Sequence, residues 1–218
     1  MFARALRLSV FAFLACGALL AHAQEPERLS VRRIGDAVVF EGRIDAAAAA
    51  TFLALLQAPG VRRVVITSGG GLVDAALDMA EAIRARGLDL EVPRECLSSC
   101  ANYIFPAARH KRLGHPDAVG WHGNMTHVLF LHRTGRGGWS EAQMQSARLL
   151  AWRESAFFRS IGVDGFVCWI GKLPPYDVYD FYALSPRDMA RFGIDGVTVD
   201  DPTPVNAGAG VRRITLSP

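Results

Sequence analysis

An α/β fold with a largely parallel sheet is predicted by three observations. Short β-branched, apolar runs alternate with segments of helical period through the middle of the chain. Glycine or proline punctuates most of the junctions between them. No internal repeat and no linker-like stretch interrupts the alternation, so one domain carries it.

The elements follow in order. Residues 29–34 and 37–42 read as two strands joined across Gly35-Asp36, a hairpin turn signal. Asp45 is placed to cap a helix over 46–57, stopped by Pro59-Gly60. Residues 61–67 form a β-branched run expected to be a buried strand. After the glycine triplet 69–71, Leu72, Ala75, Ala76, Met79, Ala80 and Ile83 recur at helical spacing as far as Gly87. A strand over 88–92 follows, then a helix from about Ser99 to Ala108 and a short strand over 119–121. Residues 140–160 form a long amphipathic helix with Ser140 as its N-cap. Residues 178–183 read as a strand, Ser185-Pro186 opens a helix that stops at Gly193, and 197–199 is a last strand. The stretch 200–218 is rich in Pro, Gly and Ala and is expected to be a loosely held tail.

The N-terminus has the pattern of an export signal. Arg4 and Arg7 precede an apolar run over 8–20, and Ala21-His22-Ala23 is a small-x-small cleavage site. The expected division is a signal peptide over 1–23, a domain over 24–199 and the tail, with a periplasmic or secreted location. Cys16 as a lipoprotein anchor is the weaker alternative, because apolar residues continue past it. Removing 23 of 218 residues, Arg4 and Arg7 among them, lowers the formal charge from +3 to +1. A near-neutral chain offers no reason to invoke nucleic acid or an anionic membrane surface.

Chemistry concentrates in three places. Cys96-Leu-Ser-Ser-Cys100 puts a serine pair at a strand-to-helix turn. His122 follows 24 residues after Ser98, behind a short apolar run. A serine hydroxyl is a poor nucleophile until a base lies within hydrogen-bond reach, and histidine is the usual base. Upstream, Thr67-Ser68-Gly69-Gly70-Gly71 is a turn whose backbone N–H groups are suited to an oxyanion. In an oxidising compartment Cys96, Cys100 and Cys168 are free to pair; a Cys96–Cys100 bond would pin the serine turn, and a bond from either to Cys168 stays open.

Two other chemistries are weighed. His110, His115, His122, His127 and His132 lie at spacings of five, seven, five and five, which lack the i, i+4 pair and nearby acid of helical zinc motifs. No metal and no cofactor are expected. A Ser–Lys dyad has only Lys111 and Lys172 to draw on, and neither sits well for the serine turn. Asn124-Met125-Thr126 matches a glycosylation acceptor and is read as chance.

From Gly42 to Val199 these landmarks together resemble the ClpP/crotonase superfamily, and in particular its exported, ClpP-protease-like members. The strand ending in Ser68-Gly69-Gly70-Gly71 resembles the family's strand–Ser-Pro-Gly-Gly–helix. The serine turn with the helix over 101–108 resembles the nucleophile helix, and Trp121-His122 resembles the histidine at a strand end. Residues 184–195, Leu-Ser-Pro-Arg-Asp-Met-Ala-Arg-Phe-Gly-Ile-Asp, resemble the family's closing segment. The resemblance implies a spiral of ββα units and a serine hydrolase, a peptidase by preference, acting on a peptide or protein. It implies Ser99 as nucleophile by helix register, with Ser98 as alternate by the Cys-x-Ser-x-Cys spacing. His122 would be the base. Asp177, eight residues before Ser185, would orient it, with Asp180 as alternate and Asp164 more remote. Gly70 and Cys100 would donate to the oxyanion, and a Cys96–Cys100 disulfide would stiffen the turn. An ATP-driven unfoldase partner is not carried over to an exported chain. A homo-oligomer is implied through the helix over 140–160, where Leu149, Leu150, Trp152, Phe157 and Phe158 would face a partner or the core. The alternative is an inactive protein binding peptides or acyl groups on the same fold.

Overall fold

The computed structural model describes residues 29–203 and 210–217. The expected signal peptide and Cys16 lie outside the described residues. A six-stranded sheet runs through the domain in the order β1-β2-β3-β4-β6-β9. Here β1 is Ser30–Ile34, β2 Ala37–Glu41, β3 Arg63–Thr67, β4 Asp89–Val92, β6 Lys111–Leu113 and β9 Val197–Val199. Only the β1–β2 hairpin is antiparallel; every other pairing in that sheet is parallel. Parallel neighbours need a crossover, and helices supply it. The chain therefore has a mixed α/β fold with a mostly parallel central sheet.

Helix α1 (Ala46–Leu56) starts where the Asp45 carboxylate accepts from the Ala48 N–H at 2.8 Å. It buries Phe52 edge-on against Phe40 of β2, with ring centroids 6.2 Å apart. Each such ring taken from water contributes about 1.5–3 kcal/mol. Helix α2 (Val73–Arg86) ends on Gly87 at φ 57°, a left-handed C-cap that a residue with a Cβ adopts only at a cost. The long helix α5 (Glu141–Ile161) opens with a reciprocal capping box between Ser140 and Gln143. Arg153 ties it to α2 through Asp74, Asp78 and Glu81. The apolar residues of α5 divide: Phe157 and Phe158 enter the core, while Leu149 and Trp152 stay about 70 % exposed.

Several features depart from the sequence reading, among them β6, since no strand was expected over 111–113. Residues 125–133 form a helix, α4 (Met125–Arg133), where none was expected. Asn124 is its N-cap, accepting from the His127 N–H at 3.0 Å, and is buried. The apparent glycosylation acceptor is thus a helix start. His127 and His132 consequently lie on a helix, not on loops. Residues 210–217 of the tail are also more ordered than its composition suggests. Strand β10 (Val211–Arg213) pairs in parallel with β8 (Phe181–Ala183), and Ile214 and Leu216 are buried behind it. Its apolar residues are too few to show a period, so the Pro/Gly-rich flank dominated the sequence reading. Finally, the strand expected over 178–183 is confined to its last three residues, because Lys172 holds the carbonyls of Tyr179 and Asp180.

Candidate active site

Two short strands bring the site together. β5 (Cys96–Leu97) and β7 (Val119–Gly120) pair in parallel, Leu97 opposite Gly120. Ser98 and His122 emerge just past the ends of these strands, side by side. The Ser98 Oγ and the His122 Nε2 are 2.7 Å apart. Ser98, the alternate of the sequence reading, is the serine beside the histidine. Ser99 is not. Its Oγ is turned inward and accepts from the Gly71 N–H at 2.8 Å, and the residue is 2 % exposed.

Backbone conformation explains the exchange. Ser98 sits at φ 56°, in the left-handed region that residues with a Cβ avoid at a cost of about 1–2 kcal/mol. The bend swings its side chain off the line of β5, and the helix begins one residue after Ser99. A π-helical turn, Cys100–Ile104, leads into a last turn, α3 (Phe105–Ala107). Helix register carried on from Tyr103 and Phe105 assumes regular α geometry through the serines, which a left-handed residue breaks. Several bonds hold the bend. The Ser98 N–H donates to the Gly120 carbonyl at 3.0 Å, and the Ser98 carbonyl accepts from the Asn102 N–H at 2.8 Å. A disulfide joins Cys96 to Cys100 across the turn, and Cys168 is a free, buried thiol.

His122 is carried by a rigid frame. Trp121, fully buried, exchanges both backbone hydrogen bonds with Tyr182 at 2.9 Å each, and its indole N–H donates to the Ala101 carbonyl. The His122 ring lies against Phe181, with centroids 4.6 Å apart. Neighbouring protein disfavours the imidazolium and Lys172 repels it, so its pKa lies below the ordinary 6.5. His122 is therefore neutral at neutral pH, the form able to take a proton.

No carboxylate among the described residues bonds to His122. Asp177 lines the same cleft, at φ 46°, but is exposed and makes no hydrogen bond to the imidazole. Asp180 is exposed and is engaged through its carbonyl by Lys172. Asp164 caps the turn at Gly165–Cys168, accepting from the Phe166 N–H. The Lys172 contacts to the carbonyls of Tyr179 and Asp180 shape the loop that bears Asp177, and a spacing from Ser185 carries no record of that shape.

The glycine turn lies directly beneath the serines. Ser68 bridges to Cys96 in parallel, so the two turns are adjacent. A Cβ on Gly70 would stand 2.7 Å from the Leu97 carbonyl oxygen and the Ser98 Cβ, and 3.1 Å from the Ser99 N. Glycine at 70 is thus what allows the serine turn to close down. The Gly70 N–H donates to the Ser68 Oγ at 3.1 Å, and the Gly71 N–H to the Ser99 Oγ. The N–H of Ser99, the residue after Ser98, makes no hydrogen bond among the described residues. Cys100 is one further along, in the disulfide.

Ser98 and His122 open into a cleft of about 870 Å³. Met125, Val128 and Leu131 of α4 give it an apolar lining, and Lys172, Asp177 and Tyr179 line it from the segment before β8. His127 stacks on Trp169 at 5.3 Å, and burial, with Lys172 and His122 adding, pushes its pKa down to about 4. Among the described residues no three His, Cys, Asp or Glu side chains converge on a point where a metal ion would sit.

Two supporting residues went unread in the sequence. Asn102 donates from Nδ2 to the Gly123 carbonyl at 2.8 Å, linking the turn Cys100–Ile104 to the residue after His122; its Oδ1 is buried without a partner. Glu154 of α5 is fully buried. It accepts from the Tyr103 hydroxyl at 2.8 Å, the Thr126 N–H at 2.7 Å, the Thr126 hydroxyl at 2.6 Å and the Met125 N–H at 3.3 Å. The Asn124 cap signal could have revealed α4 and with it the donors that Glu154 satisfies. No family model matches the chain, and no curated protein matches it.

Proposed function

We propose that the chain is an exported serine hydrolase, a peptidase, whose nucleophile is Ser98 and whose general base is His122. The observation that carries this is the 2.7 Å approach of the Ser98 Oγ to a histidine nitrogen inside a cleft. Ser98 attacks the scissile carbonyl and its proton passes to His122 Nε2. The tetrahedral oxyanion is met by the Ser99 N–H; the Gly70 N–H, expected as a donor, is held by the Ser68 Oγ instead. His122 then returns the proton to the leaving amine, and water hydrolyses the acyl-enzyme by the same route. The base is oriented by packing on Phe181 and by the frame of Trp121. Asp177 is the carboxylate nearest in role, at the rim of the same cleft, and apo contacts of this kind often tighten only around substrate.

The finer fold in this reading is a ClpP/crotonase-like spiral of ββα units. The sheet order, with parallel steps crossing through α1 and α2, supports it. The Cys96–Cys100 disulfide supports an oxidising compartment. Exposed Leu149 and Trp152 are the surface through which a homo-oligomer would form. One observation favours the alternative of an inactive binding protein: among the described residues no carboxylate bonds to His122.

Fluorophosphonate labelling, read by intact mass and peptide mapping, tests the reading. A single adduct on Ser98 is expected, lost in Ser98→Ala and His122→Ala and retained in Ser99→Ala. An adduct on Ser99 would overturn the assignment of the nucleophile. No adduct, under conditions that label a known serine hydrolase, would leave the binding protein as the reading.

A further inference from the structure

Lys172 is an unusual residue for the wall of this cleft. It is one of two lysines in the chain, and it is half-buried in a cleft that Met125, Val128 and Leu131 also line. Its ammonium is held by two backbone carbonyls, Tyr179 and Asp180, at 2.6 Å each. An ammonium has three donors, so one is left over. No carboxylate lies within ion-pair distance of it among the described residues. Asp180 is close enough to favour its charge without touching it, and Asp177 stands on the same rim. Burial works against the charge, and the two neighbouring histidines, His122 and His127, have no negative charge to offer it. A partly desolvated cation with a free donor gains from an anion far more than a solvated one does.

We infer that Lys172 is a specificity determinant, pairing with a carboxylate on the substrate while an apolar side chain beside that carboxylate lies along Met125, Val128 and Leu131. The ligand is therefore a peptide ending in an apolar residue with a free C-terminus. This deepens the proposed hydrolase reading, because it places recognition near the end of a chain. The binding step itself does not need the serine to react. Asp177 lines the same cleft, and its charge weakens the attraction for any anion there.

The test separates the two claims. Binding of N-acetyl-Ala-Leu and of its C-terminal amide to the Ser98→Ala protein is measured by calorimetry at low salt, and fluorophosphonate labelling of the wild type is run beside it. The free acid is expected to bind about tenfold or more tightly than the amide. That ratio should collapse toward one in Ser98→Ala/Lys172→Met and rise in Ser98→Ala/Asp177→Asn. Equal binding of acid and amide, or a ratio untouched by Lys172→Met, overturns the assignment even where Ser98 labels. A preserved ratio without labelling keeps the carboxylate site and removes the hydrolase. Octanoate is the third probe: tighter binding of octanoate than of the peptide acid overturns the peptide C-terminus as the ligand.

Discussion

Glu154→Ala separates the scaffold of the site from its chemistry. Glu154 is a buried carboxylate whose four donors all come from elements that carry the cleft: Tyr103 on the nucleophile helix, and Met125 and Thr126 just past His122. Truncation strands the hydroxyl of Tyr103, which is fully buried and cannot turn to solvent. A buried unsatisfied donor costs about 1–3 kcal/mol. The N–H groups at 125 and 126 are only partly buried, so water entering the gap recovers some of their loss. The vacated methylenes add about 1 kcal/mol. Relief of the buried charge runs the other way, since burial raises the Glu154 pKa despite the donors that lower it. The net expectation is a loss of about 2–4 kcal/mol in a urea titration. Tyr103→Phe in the Glu154→Ala background should recover part of it by removing the stranded hydroxyl. The pH arm has a definite sign. A carboxylate whose folded pKa is raised contributes stability that is present below the unfolded value and is lost as pH rises through the folded one. The stability of wild type relative to Glu154→Gln, which does not titrate, should therefore fall as pH rises past that range. A Glu154→Ala loss below about 1 kcal/mol, or no recovery from Tyr103→Phe, would refute the view that this carboxylate fastens α4 to the nucleophile helix.

Other outcomes follow from the site geometry. Gly70→Ala would force a Cβ against Leu97 and Ser98 at a φ of 92°; a loss of about 2 kcal/mol or more and of fluorophosphonate labelling is expected, and a stable, reactive variant would remove Gly70 from the role assigned to it. Reduction of Cys96–Cys100 should slow labelling while far-ultraviolet dichroism stays native, since the bond spans only the turn; equal rates with and without reductant would break that link. The labelling rate should be lost only as pH falls through a midpoint below 6.5, because the base must be neutral and His122 is depressed; Lys172→Met should move that midpoint upward by removing one of its two causes.

Much of the scaffold was legible because it is written locally. The Asp45 cap, Gly87, and the Ser140 cap lie within a turn of the helices they bound, so short-range hydrogen bonding decides them. The β-branched run before the glycine triplet and the apolar spacing of α2 carry their own periods. The helix α4 was less visible: its N-cap signal at Asn124 lay inside a chance match to a glycosylation acceptor, and Glu154, which accepts from the Met125 and Thr126 N–H groups, lies 29 and 28 residues away from them in sequence.

The sequence by itself determined that strands and helices alternate, that a serine pair lies between two cysteines, and that His122 and a glycine turn are within range of it. These are statements about residue type and spacing, and local interactions suffice for them. Only the tertiary structure decided which serine meets the histidine. That choice depends on one left-handed residue, on the parallel pairing of two two-residue strands, and on a glycine beneath the turn, all joined by contacts between segments that are distant in sequence. The same holds for Lys172, whose position in the cleft depends on the path of the loop between Gly171 and Tyr182, and a spacing cannot record such a path.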